Sequence, residues 1–192
     1  MVKLTGLKKI KTAIFISGAG SNLKSLIKFS KTKKSPILVE LIVSSNQSAK
    51  GLNFAKKYNI KKKVFNNRDV KLTEKKILSL LKKYKINLIC LAGYMKILSA
   101  NFIEKFNGKI INIHPSLLPR YKGLKTHERA IKNKDKFAGC SVHYVTSKLD
   151  SGKIIIQEKV RILKKDNIKT LSQKVLKKEH KLYPAAILKI FN

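Results

Sequence analysis

Short apolar runs alternate along the chain with longer amphipathic stretches, and polar or glycine-containing turns separate the two. Brief apolar runs between turn signals are typical of buried strands, and apolar residues spaced three and four apart are typical of helices. The pattern predicts strands at residues 12–17, 37–43, 63–65, 87–92, 109–113, 138–145 and 153–160. It predicts helices at residues 23–29, 48–58, 71–84 and 167–190, the last interrupted or bent near Pro184.

This alternation of strands and helices indicates an α/β fold, with a mainly parallel, twisted sheet and helices on both faces. The chain shows no internal repeat, no linker rich in Pro, Gly or Ser, and no low-complexity tail. We therefore expect a single domain over residues 1–192. Ligands of such sheets bind at the carboxyl ends of the strands, so the residues at those ends are the first candidates for chemistry.

Length and composition narrow the class of protein. The 192 residues are 43% hydrophobic and 7% aromatic, which suits one domain with a sizeable core. Cys90 and Cys140 lie in apolar segments and form no CxxC motif, which favours a reducing, cytoplasmic compartment. The apolar stretches are short and broken by lysines, which argues against a membrane span. Residues 1–11 lack the continuous apolar run of a secretion signal.

The charge is strongly positive. Forty-four Lys and Arg residues against ten Asp and Glu residues give a formal net charge of +34, which by itself suggests a nucleic-acid or anionic-membrane partner. The lysines, however, are spread along the whole chain, and only four basic residues are arginines: Arg68, Arg120, Arg129 and Arg161. This pattern favours compositional drift on solvated surfaces. We expect no specific nucleic acid and no membrane as partner, but attraction of anionic substrates.

Residues 17–22, Ser-Gly-Ala-Gly-Ser-Asn, lie between the first strand and the first helix. Gly18 and Gly20 let the backbone approach an anion, and the helix start offers free N–H groups. The third glycine of a dinucleotide motif is missing, since position 23 is Leu, and no Walker A sequence is present. The loop predicts a cradle for a single phosphate. A tight turn with an ordinary cap by Ser21 or Asn22 is the alternative.

Asn112 and His114 come at the end of a strand and are two residues apart, so their side chains point to the same side. Acyl transfer to an amine needs an amide donor for the oxyanion and an imidazole to move a proton. Neither residue is a good nucleophile, which favours direct transfer over an acyl-enzyme. A capping Asn beside a structural His is the alternative interpretation.

Asp150 lies in a turn, Leu-Asp-Ser-Gly, between the two late strands. A carboxylate here can orient His114 and favour the imidazolium, if the fold brings the two together. The alternative is an Asp that serves the turn alone. No group of His, Cys, Asp and Glu has the spacing of metal ligands, so we expect no metal.

Five stretches taken together resemble the phosphoribosylglycinamide formyltransferase family of folate-dependent enzymes. They are SGAGSNLKSLI (17–27), LAGYMKIL (91–98), INIHPSLLPRYKGLKTHERAI (111–131), GCSVHYVTSKLDSGKIIIQ (139–157) and KKEHKLYP (177–184). The resemblance implies a formyltransferase fold whose N-terminal half, about residues 12–100, binds the mononucleotide. Residues of about 101–192 then form the catalytic and folate-binding half.

The resemblance also assigns residues. It implies catalytic roles for Asn112, His114 and Asp150. It implies phosphate binding by Gly20, Ser21 and Asn22, folate binding by Met95, Lys96, Ile97, Leu98 and Asn112, and a place near the substrate amine for Glu179. From the residues alone, Met95 and Leu98 would be core positions. His143 either lines the pocket or is structural; we expect His127 to shape the loop over the active site and His180 to be structural.

The activity implied is transfer of a formyl group from 10-formyltetrahydrofolate to the amine of 5-phosphoribosylglycinamide, in purine biosynthesis. The folate is a co-substrate, and a monomer or weak homodimer is expected. Methionyl-tRNA formyltransferase and formyltetrahydrofolate deformylase share the catalytic residues but carry an added domain, and residues 123–131 resemble them less. A basic nucleic-acid-binding protein that has lost the activity is the rival of another class. The intact Asn112, His114 and Asp150 argue against it.

Overall fold

The computed structural model describes residues 9–66 and 69–191, so most of the amino-terminal stretch considered above lies outside the described residues. Its strands are β1 (Ile10–Ile16), β2 (Ile37–Ser44), β3 (Lys61–Val64), β4 (Leu88–Leu91), β5 (Lys109–His114), β6 (Phe137–Tyr144) and β7 (Ile154–Arg161). Its helices are α1 (Ser21–Ser30), α2 (Leu52–Lys57), α3 (Val70–Lys83), α4 (Ala100–Lys105), α5 (Thr126–Lys132) and α6 (Ile168–Phe191).

The seven strands form one sheet in the order β3-β2-β1-β4-β5-β6-β7. The first five in this order pair in parallel, and β6 and β7 are added antiparallel. The predicted α/β fold with a mainly parallel sheet is therefore confirmed. Within the described ranges, no helix has the length and hydropathy needed to cross a membrane.

Helices cover both faces of the sheet, as predicted. Consecutive residues of a strand point to opposite faces, so Ile14 and Phe15 of β1 enter different cores. Ile14 belongs to a cluster that includes Leu26 of α1 and Leu171 of α6. Phe15 belongs to a second cluster with Ile77 of α3. The central strands are thus buried on both sides, which explains why β4 is a continuous apolar run.

Two short helices were not predicted. α4 begins after Ser99, whose Oγ accepts a hydrogen bond from Phe102 N at 3.1 Å, and only Phe102 of its six residues is buried. α5 lies in a segment interpreted as a long polar loop, and it buries only Thr126 and Ala130. Helices that bury one or two residues show no periodic apolar stripe, so the pattern of the sequence does not reveal them.

The closing helix runs without a break through Pro184, so it is not interrupted there, and a bend near Pro184 stays a prediction. Proline has no N–H, which leaves the carbonyl of His180, four residues earlier, without its helical donor. Ser25 of α1 supplies a replacement, since its Oγ donates to His180 O at 2.8 Å. The helix predicted at 48–58 is also shorter than expected and covers only Leu52–Lys57.

The strand order creates a crevice between β1 and β4. After β1 the chain builds the sheet in one direction, and from β4 it builds in the other, so the loops after these two strands separate. The two loops are nevertheless joined at their base. Ser17 N donates to Gly93 O at 3.0 Å, and Met95 N donates to Ser17 Oγ at 2.8 Å. The loop predicted to bind phosphate and the segment predicted to bind folate therefore flank one crevice.

The buried hydroxyl of Tyr183 in α6 connects this helix to the two central strands β4 and β5. Its side chain is fully buried, and its hydroxyl lies 3.0 Å from Leu91 O on β4 and 3.0 Å from Ile111 O on β5. We expect Tyr183→Phe to lower the free energy of unfolding by about 1–2 kcal/mol, because these carbonyls lose a buried donor. Urea unfolding followed by circular dichroism measures the change.

The matched control is Tyr58→Phe. The Tyr58 hydroxyl makes no hydrogen bond to any residue that the structure describes, and its ring lies under Lys31 Nζ at 4.7 Å, a contact that Phe retains. We expect this variant to unfold like the wild type. Equal losses in both variants would contradict the role given to the Tyr183 hydroxyl.

Candidate active site

Asn112 and His114 lie at the carboxyl end of β5, and their side chains point to the same face of the sheet. β5 pairs antiparallel with β6, so that Asn112 lies opposite His143 and His114 lies opposite Ser141. Asn112 Nδ2 is 3.2 Å from His143 Nε2. The side chains of Asn112 and His143 therefore meet at the end of the strand pair.

Asp150, in the turn between β6 and β7, joins this group. Its Oδ2 lies 3.4 Å from His114 Nδ1, and its Oδ1 lies 3.6 Å from His143 Nε2. Gly123 N donates to Asp150 Oδ2 at 2.9 Å. The structure thus brings Asn112, His114 and Asp150 into one cluster and adds His143 to it, a contact that the sequence left open.

The hydrogen-bond partners assign the tautomers of both histidines. His114 Nε2 lies 2.9 Å from the carbonyl oxygen of Tyr121, and His143 Nδ1 lies 2.8 Å from that of Tyr144. A carbonyl only accepts, so each of these nitrogens carries a hydrogen. His143 Nε2 is then an acceptor for one N–H of Asn112. The other N–H of Asn112 and the Nδ1 lone pair of His114 remain for chemistry.

The pKa values of both His114 and Asp150 are lowered. Burial lowers the pKa of His114, and the Tyr121 carbonyl and Asp150 offset this only in part. Burial raises the pKa of Asp150, but the polar groups that face it, His143, Gly123 N and His114, outweigh the effect of burial, so the pKa of this carboxyl is below its usual value. Near neutral pH the site therefore holds a carboxylate beside an uncharged imidazole.

The loop before α1 presents bare backbone. Gly20 is the N-cap residue with φ 75°, and no side chain caps the helix, so the ordinary cap by Ser21 or Asn22 is not observed. A Cβ at Gly20 would lie 2.7 Å from the Cα of Gly51. Only glycine fits this close, left-handed turn. The first N–H groups of the ten-residue helix α1 have no intrahelical partner, and such groups are suited to bind an anion.

Asn22 contacts α6 instead of capping its own helix. Its Nδ2 donates to Glu179 Oε2 at 2.6 Å, while its Oδ1 is buried without a partner among the described residues. Burial raises the pKa of Glu179, and the Asn22 amide partly offsets the rise. Glu179 therefore lies beside the loop that precedes α1, and its place near a substrate amine stays a prediction. His180 Nε2 is likewise buried with no hydrogen bond in the described part of the chain.

Three of the four residues predicted to bind folate are exposed, and the fourth lies in the core. Met95 and Ile97 are 65% and 71% exposed, Lys96 is exposed as well, and Leu98 is 6% exposed and packs in a core cluster. The core position expected for Met95 from residue type alone is therefore wrong, and that for Leu98 is confirmed. Large apolar side chains exposed at the rim of a crevice suit a flat, apolar ligand.

Some residues of the site carried no signal in the sequence. Tyr121 acts through its carbonyl, which no side-chain motif reveals. Gly51 packs against Gly20 and its N donates to Gly18 O at 3.0 Å; a glycine that follows β2 at this sheet edge was the available clue. His127 lies in α5, and burial lowers its pKa. Across the described residues, no group of three or more His, Cys, Asp and Glu side chains is arranged to hold a metal.

Known proteins of one family share this sequence and fold. Residues 10–187 match the formyl transferase family. The human trifunctional purine biosynthetic protein adenosine-3 is 40% identical over 94% of this chain, but the chain spans only 18% of that protein. The phosphoribosylglycinamide formyltransferase of Haemophilus influenzae is 39% identical over 94% of this chain and 86% of that protein.

A solved structure of the same family has the same fold. The crystal structure of phosphoribosylglycinamide formyltransferase from Brucella melitensis is similar with a TM-score of 0.91 and 42% identity, covering 95% of this chain and 96% of that one. Family match, relatives and structure thus agree over nearly the whole chain. The chain belongs to the formyl transferase family, among its phosphoribosylglycinamide formyltransferases.

Proposed function

We propose that this chain transfers the formyl group of 10-formyltetrahydrofolate to the amine of 5-phosphoribosylglycinamide, a step of de novo purine biosynthesis. The observation that carries the proposal is the cluster of Asn112, His114, His143 and Asp150. It combines an oriented amide donor, an uncharged imidazole and a carboxylate. Asn112 lies 3.2 Å from His143, and Asp150 lies 3.4 Å from His114 and 3.6 Å from His143. Membership of the family supports the choice of both substrates.

The reaction starts when the neutral amine of the substrate attacks the formyl carbon. As the new C–N bond forms, the formyl oxygen becomes an oxyanion in a tetrahedral intermediate. The free N–H of Asn112, held in place by His143 Nε2, donates to this oxyanion. Amide, imidazole and carboxylate are poor acyl carriers, so the cluster favours direct transfer.

Proton movement completes the step. The attacking amine must lose one proton, and N10 of the folate must gain one as its bond to the formyl carbon breaks. His114 accepts the first proton on Nδ1, and Asp150, 3.4 Å away, stabilises the imidazolium. The same proton then passes to N10, so the products are the N-formyl amide and tetrahydrofolate. No metal takes part in this scheme.

The remaining sites follow from the crevice between β1 and β4. The backbone of Gly20, Ser21 and Asn22 binds the substrate phosphate at the start of α1, and Glu179, which contacts Asn22, lies near the substrate amine in this proposal. Met95, Lys96, Ile97 and Leu98 form the folate side, with Leu98 beneath the others. The net charge of +34 attracts both anionic substrates.

The assignment extends to the whole chain. Residues 1–192 form one formyltransferase domain, in which about 12–100 hold the phosphate loop and about 101–192 hold the catalytic cluster. We propose a cytoplasmic enzyme that works as a monomer or weak homodimer, without a nucleic-acid partner.

The direct test mixes the protein with a 10-formyl folate and follows absorbance with and without phosphoribosylglycinamide. We expect folate product only when the amine is present. Release of formate without the amine would identify a deformylase. No reaction in either mixture, together with salt-sensitive RNA binding, would favour the basic binding protein instead.

The first variant to test is Asn112→Ala. We expect kcat to fall about 100-fold or more, because the oxyanion loses its donor. The matched control is Asn107→Ala, an exposed Asn before the other end of β5, which should keep wild-type turnover. Steady-state kinetics of both variants settles the point, and near-normal turnover of Asn112→Ala would overturn the mechanism.

The second variant, Asp150→Asn, tests the electrostatics of the resting site. Asp150 raises the pKa of His114, which burial already holds below 6.5, so its removal should lower this pKa further. The acid limb of any remaining activity should move to lower pH in the same direction. An NMR titration of the His114 ring measures the pKa without turnover. Glu128→Gln, which removes an exposed carboxylate from α5, should leave the titration unchanged, and a rise in Asp150→Asn would contradict the assignment.

A further inference from the structure

Tyr121 holds an unusual backbone conformation for a bulky residue. Its φ is 54°, in the left-handed region, where a residue with a large side chain is strained. In this conformation its carbonyl oxygen lies 2.9 Å from His114 Nε2. Strain of this kind persists only where surrounding contacts hold the residue in place, and the structure shows which contacts do so.

The Tyr121 hydroxyl is bonded on all sides. It donates to Asp135 Oδ2 at 2.7 Å and accepts from Asn133 Nδ2 at 2.8 Å and Arg120 Nη2 at 3.1 Å. Arg120 Nη2 also donates to Asp135 Oδ1 at 2.8 Å. The far end of the side chain is therefore fixed to the residues that follow α5 and to the neighbouring Arg120.

Two arginines hold the ring and the next residue. The guanidinium carbons of Arg120 and Arg129 lie 5.1 and 4.9 Å from the centre of the Tyr121 ring. Arg129 Nη1 also donates to Lys122 O at 2.8 Å. A planar guanidinium can stack on a ring and donate several bonds at once, which an ammonium group cannot do. Two of the four arginines in this lysine-rich chain thus meet at one tyrosine.

The position of the Tyr121 carbonyl matters because two acceptors compete for the proton of His114. Asp150 Oδ2 faces Nδ1 at 3.4 Å, and a carboxylate is a stronger acceptor than a carbonyl. Without the carbonyl at Nε2, the neutral ring would carry its proton on Nδ1, toward Asp150. Nδ1 would then have no lone pair for the proton of the substrate amine.

We propose that Tyr121, Arg120, Arg129 and Asp135 form a clasp that fixes the Nε2–H tautomer of His114. These are positioning residues, since they act on His114 through the Tyr121 carbonyl. The tautomer itself follows from the resting structure alone. Its catalytic consequence rests on the proposed function, because it requires that His114 Nδ1 receives a proton during formyl transfer.

The test uses the full chain and two variants. Tyr121→Phe removes the three hydroxyl bonds, and Arg129→Lys keeps the charge but removes the stacking and fork geometry. Long-range 1H–15N NMR of the imidazole reports which nitrogen of His114 carries the proton, and steady-state kinetics reports kcat and KM. The control is Arg161→Lys, an exposed arginine on β7 that makes no contact with the clasp among the described residues.

We expect His114 to be the Nε2–H form in the wild type and in Arg161→Lys, and to shift toward Nδ1–H in both clasp variants. We expect kcat of the clasp variants to fall about 10- to 100-fold, with both KM values within about twofold of the wild type. Thermal unfolding checks that each variant is folded. If Tyr121→Phe does not fold, Arg129→Lys alone decides.

An unchanged tautomer in the folded variants would overturn the clasp, whatever their activity. A wild type found in the Nδ1–H form would do the same. A shifted tautomer with unchanged kcat would overturn the proposal that formyl transfer requires the Nε2–H tautomer of His114. A wild type that transfers no formyl group contradicts the proposed function instead, and the NMR result still decides the clasp.

Discussion

The site is organised around one buried charge, the carboxylate of Asp150, whose side chain is only 8% exposed. A carboxylate can be removed from water only where donors replace its hydration. The structure supplies one donor directly, Gly123 N in the loop between β5 and β6. It also places two imidazoles beside the carboxylate, His114 at the end of β5 and His143 on β6, and the charge of Asp150 is stabilised further when His114 takes up a proton. The β6–β7 turn must therefore fold back onto β5, and the antiparallel addition of β6 to the parallel sheet makes this possible.

The many surface lysines have little effect on the protonation of His114 and Asp150, because the neighbours of these two residues lie much closer to them. Exposed charges are screened over about 8 Å at physiological ionic strength, so most lysines of the surface act on the site weakly. The pKa values of His114 and Asp150 are set mainly by burial and by neighbours within hydrogen-bonding distance. A drift toward lysine on solvated faces changes the steering of anions toward the protein. It leaves the protonation states of the cluster almost untouched.

The sequence predicts the features that depend on residues close together in the chain. The alternation along β5 places Asn112 and His114 on one side, and the apolar run of β4 identifies a strand buried on both faces. The approach of Asp150 to His114 depends on the path of a distant turn, which no local pattern encodes. α5 depends on tertiary packing of Ala130, and Tyr121 acts through its backbone. The core position predicted for Met95 is wrong because an exposed apolar side chain has the same sequence signature as one in the core.

α6 ties the two halves of the site together. Glu179 and Tyr183 are four residues apart, so they lie on one face of the helix. Glu179 accepts from Asn22 at the start of α1, and the Tyr183 hydroxyl reaches Ile111 O, next to Asn112. One helical turn of α6 therefore connects the loop proposed to bind phosphate with the strand that carries the proposed catalytic residues. The carbonyl of His180 in this turn has no helical donor because of Pro184, and Ser25 of α1 donates to it instead. This hydrogen bond therefore also fixes α6 to α1, the helix that follows the same loop.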